Sequence, residues 1–173
     1  MFLKGRVKVV VKRIVCLLAA ATLMLVGMGG ALAEQKVELP ESRYSLTMPD
    51  EMQYDGPAEG TVPGDDARFA YVSKELGLDV HFFCYDRPAG TELKALAEQL
   101  RKNYEDVAIY VISGIEMIVY RVADPESPPE KGMKCVGYVI PEEGKFQEIV
   151  FWYANQAAAD RSAEIIATIT DKD

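Results

Sequence analysis

Four stretches of this chain are apolar without a regular polar partner: Phe82-Phe83, Val107 to Ile112, Ile115 with Met117 to Tyr120, and Ile149 to Tyr153. A strand with one wet face alternates polar and apolar side chains, so runs of this kind belong in the middle of a sheet covered on both sides. That requirement implies three layers. Two helical segments are evident, and one on each face gives an α+β chain folded as an α/β/α sandwich around an antiparallel sheet of about six or seven strands.

The elements read in order. Tyr44, Leu46 and Met48 alternate with Arg43, Ser45 and Thr47 as in a half-buried strand, which Pro49-Asp50 stops. From Tyr54 to Asp66 the glycines and prolines predict a loop. Ala67 to Lys74 and Leu78 to Tyr85 form a hairpin around Glu75-Leu76-Gly77. Thr91 is placed to cap a helix from Glu92 to about Tyr104, with Leu93, Leu96, Ala97, Leu100 and Tyr104 on its inner stripe. Val107 to Ile112 and Ile115 to Val122 flank a tight Ser113-Gly114 turn, and a Pro-rich loop follows from Asp124. Lys134 to Ile140 and Phe146 to Ala154 make another hairpin. A final helix runs from about Asn155 to Ile169.

The first 33 residues read as a signal peptide cleaved after Ala33. Lys4, Arg6, Lys8, Lys12 and Arg13 make a basic start, Ile14 to Val26 is an apolar core, and Ala31-Leu32-Ala33 is a small-x-small cleavage site. The expected destination is secretion or the cell envelope, with no membrane insertion after cleavage. Residues 34–173 then form a single globular domain of 140 residues. Five of the 19 basic residues leave with the leader, so 14 face 27 acids, a balance of −13. Such a surface is ill suited to nucleic acid, which binds through Lys and Arg, and is better suited to cationic partners. Cys84 and Cys135 survive export, and an even pair in an oxidising compartment invites a disulfide; the alternative is two buried thiols acting as small hydrophobes.

Chemistry-bearing patterns are sparse. His81 is the only histidine, with Cys84 and Asp86 nearby, but strand residues three apart point to opposite faces. His81 therefore shares a face with Asp79, Phe83 and Tyr85, and no catalytic residue is assigned. One histidine and two distant cysteines lack zinc-ligand spacing. Asp55, Glu59, Asp65 and Asp66 offer oxygen ligands for calcium, without the Asp-x-Asp-x-Asp-Gly register, so they read first as a solvated acidic loop. Neither a Gly-x-Ser-x-Gly elbow nor a phosphate loop occurs, and no cofactor is implied. Tyr110, Tyr120, Tyr138, Trp152 and Tyr153, read as lying on central strands, are candidates for a ligand pocket, core packing being the commoner role of such aromatics.

Tyr44-Ser45-Leu46-Thr47-Met48-Pro49-Asp50-Glu51-Met52 resembles the opening strand, proline and bulky residue of PsbP-like and DcrB-like exported domains. Gly114 to Tyr120 entering a strand, then a hairpin, then a helix ending Ile165-Ile166-Ala167-Thr168-Ile169 is similar to their later order. Met52 stands where such domains often carry tryptophan. The resemblance implies an α/β/α sandwich and an accessory or binding role without catalysis. The expected function is thus a non-catalytic exported domain binding a protein or small ligand, or assisting assembly. The alternatives are a secreted hydrolase using acids of the Tyr54 to Asp66 and Asp124 to Glu130 loops, and a homodimer closed over the sheet's second face.

Overall fold

The central feature is a seven-stranded antiparallel sheet. A computed structural model describes residues 33–56, 69–125 and 128–172. Its elements are β1 (Glu34–Glu38), β2 (Tyr44–Pro49), β3 (Gln53–Gly56), β4 (Phe69–Ser73), β5 (Leu78–Asp86), α1 (Leu93–Leu100), β6 (Glu105–Ile112), β7 (Ile115–Val122), β8 (Lys134–Pro141), β9 (Lys145–Tyr153), α2 (Gln156–Ala167) and β10 (Thr170–Asp171). The large sheet runs β3-β4-β5-β9-β8-β7-β6, and β1-β2-β10 form a small second sheet. Residues Glu34–Asp173 pack as one unit. The expected leader lies almost wholly outside the described residues. Among the described residues no helix is long and apolar enough to cross a membrane.

Strand register assigns each side chain to a face. Phe82, Ile149, Tyr138 and Val119 are successive cross-strand partners on β5, β9, β8 and β7, and all four are buried in the larger core. On this first face lie α2 and the small sheet, contributing Ile165, Ile166, Leu46 and Met48. Asn155 caps α2 by accepting the Ala158 backbone N–H at 3.0 Å, as its residue type predicts. The second face carries a smaller core, where Leu93 and Ala97 of α1 meet Val107, Ile118, Val139 and Phe146. One helix per face is therefore the arrangement, and the sandwich expected from the doubly apolar strands holds.

Several local expectations need correction. The first helix is only eight residues long; its N-cap is Glu92 without a side-chain capping bond, and Thr91 is not the cap. Arg101, Lys102 and Asn103 turn the chain so that Tyr104 follows the helix instead of ending it. Gln53–Gly56 is an edge strand where a loop was expected. Val107 to Ile112 is not central: β6 is the other edge, leaving Tyr110 51% and Val111 70% exposed. A bulge between Glu105 and Ala108, with Asp106 at φ 51°, aims Val107 into the smaller core. Ser113 and Gly114, at φ 52° and 80°, make the tight turn that β6 and β7 require.

The disulfide is not formed. Cys84 pairs with Gln147 on the first face of the sheet, whereas Cys135 pairs with Trp152 on the second, and β9 runs between their strands. Both side chains are reduced thiols and buried. Cysteines on opposite sides of a sheet cannot meet the Cβ separation a bridge needs. Alkylation of native protein without reductant should therefore leave Cys84 and Cys135 unmodified, and alkylation in denaturant should label both, as read by peptide mass mapping.

Candidate functional site

Among the described residues the second face is only half covered, α1 packing mainly over β6 and β7. Rows of cross-strand partners define what is left open. Asp79, Trp152, Cys135 and Val122 form one row from β5 to β7; His81, Val150, Gly137 and Tyr120 form the next; Phe83, Glu148, Val139 and Ile118 form the third. The β5 side of this surface is aromatic. His81 lies 6.2 Å from Trp152 and 6.3 Å from Phe83 between ring centroids, and Phe83 is stacked 6.2 Å from Tyr85.

Gly137 organises the middle of the surface. A methyl group added there would overlap Cζ, Cε1 and the hydroxyl of Tyr120, so the Tyr120 ring occupies the space a side chain on β8 would fill. An aromatic ring lying over a strand glycine compensates for the packing that glycine lacks. By crossing β8, Tyr120 reaches β9, where its hydroxyl donates to Glu148 Oε1 at 2.7 Å. Tyr104 stacks on the same ring at 4.4 Å and 20°, a contact worth about 0.5–1.5 kcal/mol beyond area burial.

Two hollows flank this group. One, of about 550 Å³, is walled by Phe83, Tyr104, Tyr120, Cys135, Glu148 and Trp152; the other, of about 460 Å³, by Tyr85, Leu96, Leu100, Tyr104, Phe146 and Glu148. Tyr104 and Glu148 are common to both. The Trp152 indole N–H is buried with no hydrogen-bond partner, a deficit of about 1–3 kcal/mol in a wall of the larger hollow.

The titratable groups here are pushed toward their uncharged forms. Burial, then the Glu148 carboxylate, drive Tyr120 far above the ordinary phenol range, so its hydroxyl keeps the proton it donates. The same two causes raise the Cys135 thiol to about 11, and burial chiefly raises Tyr104. Burial lowers His81, against the opposing charge of Asp55. Asp79 is pushed up to about 6, first by burial and then by Glu130 and Asp55.

The structure distributes the sequence candidates unevenly. Tyr120 and Trp152 meet at the larger hollow, Tyr138 and Tyr153 face the opposite core, and Tyr110 stands on the exposed edge of β6. The five aromatics therefore do not form one site. His81 and Cys84 alternate onto opposite faces of β5. Of the calcium candidates, Asp55 lies by the start of the open face, while Glu59, Asp65 and Asp66 fall outside the described residues. Among the described residues no group of three or more His, Cys, Asp or Glu side chains is placed to hold a metal ion. Sequence reasoning missed Phe83, Tyr104, Glu148 and Gly137 as site residues. A glycine inside the apolar strand Lys134 to Ile140 was the available signal, since it marks a close approach.

The sequence matches no protein-family model and no curated protein. Solved structures do share its architecture. The solution structure of cyanobacterial PsbP (CyanoP) from Synechocystis sp. PCC 6803 aligns with a TM-score of 0.57 at 11% identity, covering 84% of this chain and 96% of that one. A crystal structure from Bacteroides thetaiotaomicron VPI-5482 aligns with a TM-score of 0.56 at 15% identity, covering 80% of this chain and 48% of that one. The chain thus spans about half the length of the Bacteroides protein. These likenesses establish a PsbP-like fold.

Two measurements probe the site. Gly137→Ala should lower stability by about 1–3 kcal/mol in chemical denaturation, because Tyr120 must leave its place over β8. Asp79 has a folded pKa above its ordinary 3.8, so it binds more protons folded than unfolded and stability falls as pH rises toward about 6. Asp79→Asn should accordingly raise the denaturation midpoint at pH 7 and leave it nearly unchanged at pH 4.

Proposed function

We propose that this chain is an exported, non-catalytic binding domain whose ligand site is the half-covered second face of the sheet. The observation that carries the reading is the pair of hollows meeting at Tyr104 and Glu148, lined by aromatic rings and held by a partly buried hydrogen bond. A pre-formed, largely apolar recess with few fixed polar groups is the ordinary anatomy of a small-molecule site. Its chemistry is quiet. A thiol at about 11, a phenol above its usual range and an imidazole lowered by burial supply shape and hydrogen bonding without an activated nucleophile.

Export is proposed from the leader alone: a basic start, an apolar core and Ala31-Leu32-Ala33 ahead of Glu34. The PsbP-like fold is in keeping with the accessory role that the sequence resemblance implies.

A second reading, acid-assisted hydrolysis, has one observation in its favour. Asp55 and Glu130 come from the two acidic loops singled out in the sequence, and the charges of both act on Asp79, whose value near 6 suits proton transfer. The hollows lie over other residues, so binding is the better-supported role.

Recovery of the protein from the envelope or medium of cells expressing the full gene tests both parts. The expected mature mass begins at Glu34, and native mass spectrometry should find a small molecule retained by the wild type and lost from Tyr104→Ala. A mass beginning at Met1 would end the export proposal. Retention unaffected by Tyr104→Ala would move the site elsewhere.

A further inference from the structure

We infer that the outer edge of β6 pairs with the same edge of a second copy of this chain, antiparallel and about a two-fold axis at Tyr110. Among the described residues no strand lies beyond β6, and its Tyr110 and Val111 are 51% and 70% exposed. An edge strand leaves a row of backbone N–H and C=O groups unpaired, and proteins ordinarily blunt such edges with charge, proline, bulges or brevity. The opposite edge of this sheet is blunted: β3 has four residues, a register shift between Tyr54 and Gly56, and Asp55 within it. β6 is not. Its bulge lies near its start, between Glu105 and Ala108, and from Val107 to Ile112 it holds no charged residue and no proline.

Register decides which backbone groups face outward. Ser113-Gly114 is a two-residue loop with both φ values positive, so Ile112 and Ile115 close the hairpin as a hydrogen-bonded pair. Antiparallel ladders alternate bonded and non-bonded pairs, so Tyr110 and Ala108 also bond toward β7, and Ile109 and Val111 present their N–H and C=O to the outside. The regular stretch between bulge and turn is Ala108 to Ile112, and Tyr110 is its centre. A two-fold axis there sets Ala108 opposite Ile112 of the second copy, Ile109 opposite Val111, and Tyr110 opposite Tyr110. The register is self-complementary: the outward groups of Ile109 and Val111 meet one another, and every residue of the stretch gains a partner.

Charge selects the same occupant. Residues 34–173 carry a balance of −13, so two copies repel over most of their surface, yet this strand sets only neutral side chains against each other. Glu105 and Asp106 fall outside the paired stretch, and Asp106 lies 4.0 Å from Arg121 of its own chain. Pairing also covers both exposed side chains, Tyr110 by its symmetry mate and Val111 by Ile109 of the second copy.

The protein recovered from cells expressing the full gene should pass from monomer to dimer between about 1 and 100 μM in analytical ultracentrifugation, the range of a small interface. Val111→Lys, at an exposed position, should raise the dimer dissociation constant by about tenfold or more. Tyr110→Cys puts one thiol per copy in a non-hydrogen-bonded pair at the axis, with Cα atoms about 4.5 Å apart, so mild oxidation should give a dimer bridged at position 110 by peptide mass mapping. Val111→Cys should not cross-link, because Ile109 stands opposite it.

A wild type that stays monomeric to about 100 μM overturns the inference, including one that holds a strand of a different protein on β6. So does a dimer that Val111→Lys leaves intact, or one in which Tyr110→Cys and Val111→Cys cross-link equally, since its contact then lies elsewhere. Should Val111→Lys fail to fold, the two cysteine variants decide alone. The ligand reading of the hollows survives each of these results.

Discussion

The hydrogen bond from Tyr120 to Glu148 depends on an absence, the missing side chain of Gly137, and the second face of the sheet is arranged around that bond. Because β8 is bare at this position, a ring rooted on β7 lies across it and ends at a carboxylate on β9. Three adjacent strands are tied by one side chain. Tyr104 then stacks on the ring, which fixes the chain where it leaves α1 and sets the partition between the two hollows. A partly buried carboxylate among apolar neighbours is costly unless it is hydrogen-bonded, so Tyr120 also makes Glu148 tolerable where it stands.

The two faces are built to different standards. On the first, Phe82, Phe151, Met117 and Ile149 are almost wholly removed from water, each such side chain worth about 1.5–3 kcal/mol relative to exposure. On the second, α1 is short, lacks a side-chain cap, and contributes only two buried residues. Stability resides mainly on the first face, and the proposed binding site on the second. The division lets the recess remain open, because the larger core, α2 and the small sheet hold the fold without it.

Layering was legible in the sequence because it follows from composition along each strand: a run apolar on both sides must be covered twice. Hairpin turns at Gly77 and Ser113-Gly114 were legible for the same local reason, glycine or its neighbour supplying a positive φ. What failed was position within the sheet. Val107 to Ile112 has the apolar content of an interior strand yet lies at an edge, since no local pattern encodes which strand ends the row. The Cys84–Cys135 pairing failed likewise: strand membership was read correctly, but face and strand order are long-range properties. Within the site, Trp152 and Tyr120 were flagged as aromatics, whereas Tyr104 was assigned to a helix stripe and Glu148 hidden among 27 acids. Cross-strand register brings Trp152, Tyr120 and Glu148 together, and the turn after α1 adds Tyr104.

The small sheet joins distant parts of the chain. β2 lies between β1 and β10, with Thr170 opposite Ser45, and Lys172 Nζ meets Glu38 Oε2 at 2.7 Å. The layer over the larger core is therefore finished only when segments 125 positions apart, at Ser45 and Thr170, have met. Closing so long a loop costs chain entropy before the pairing repays it, so this layer assembles after the local hairpins of the large sheet.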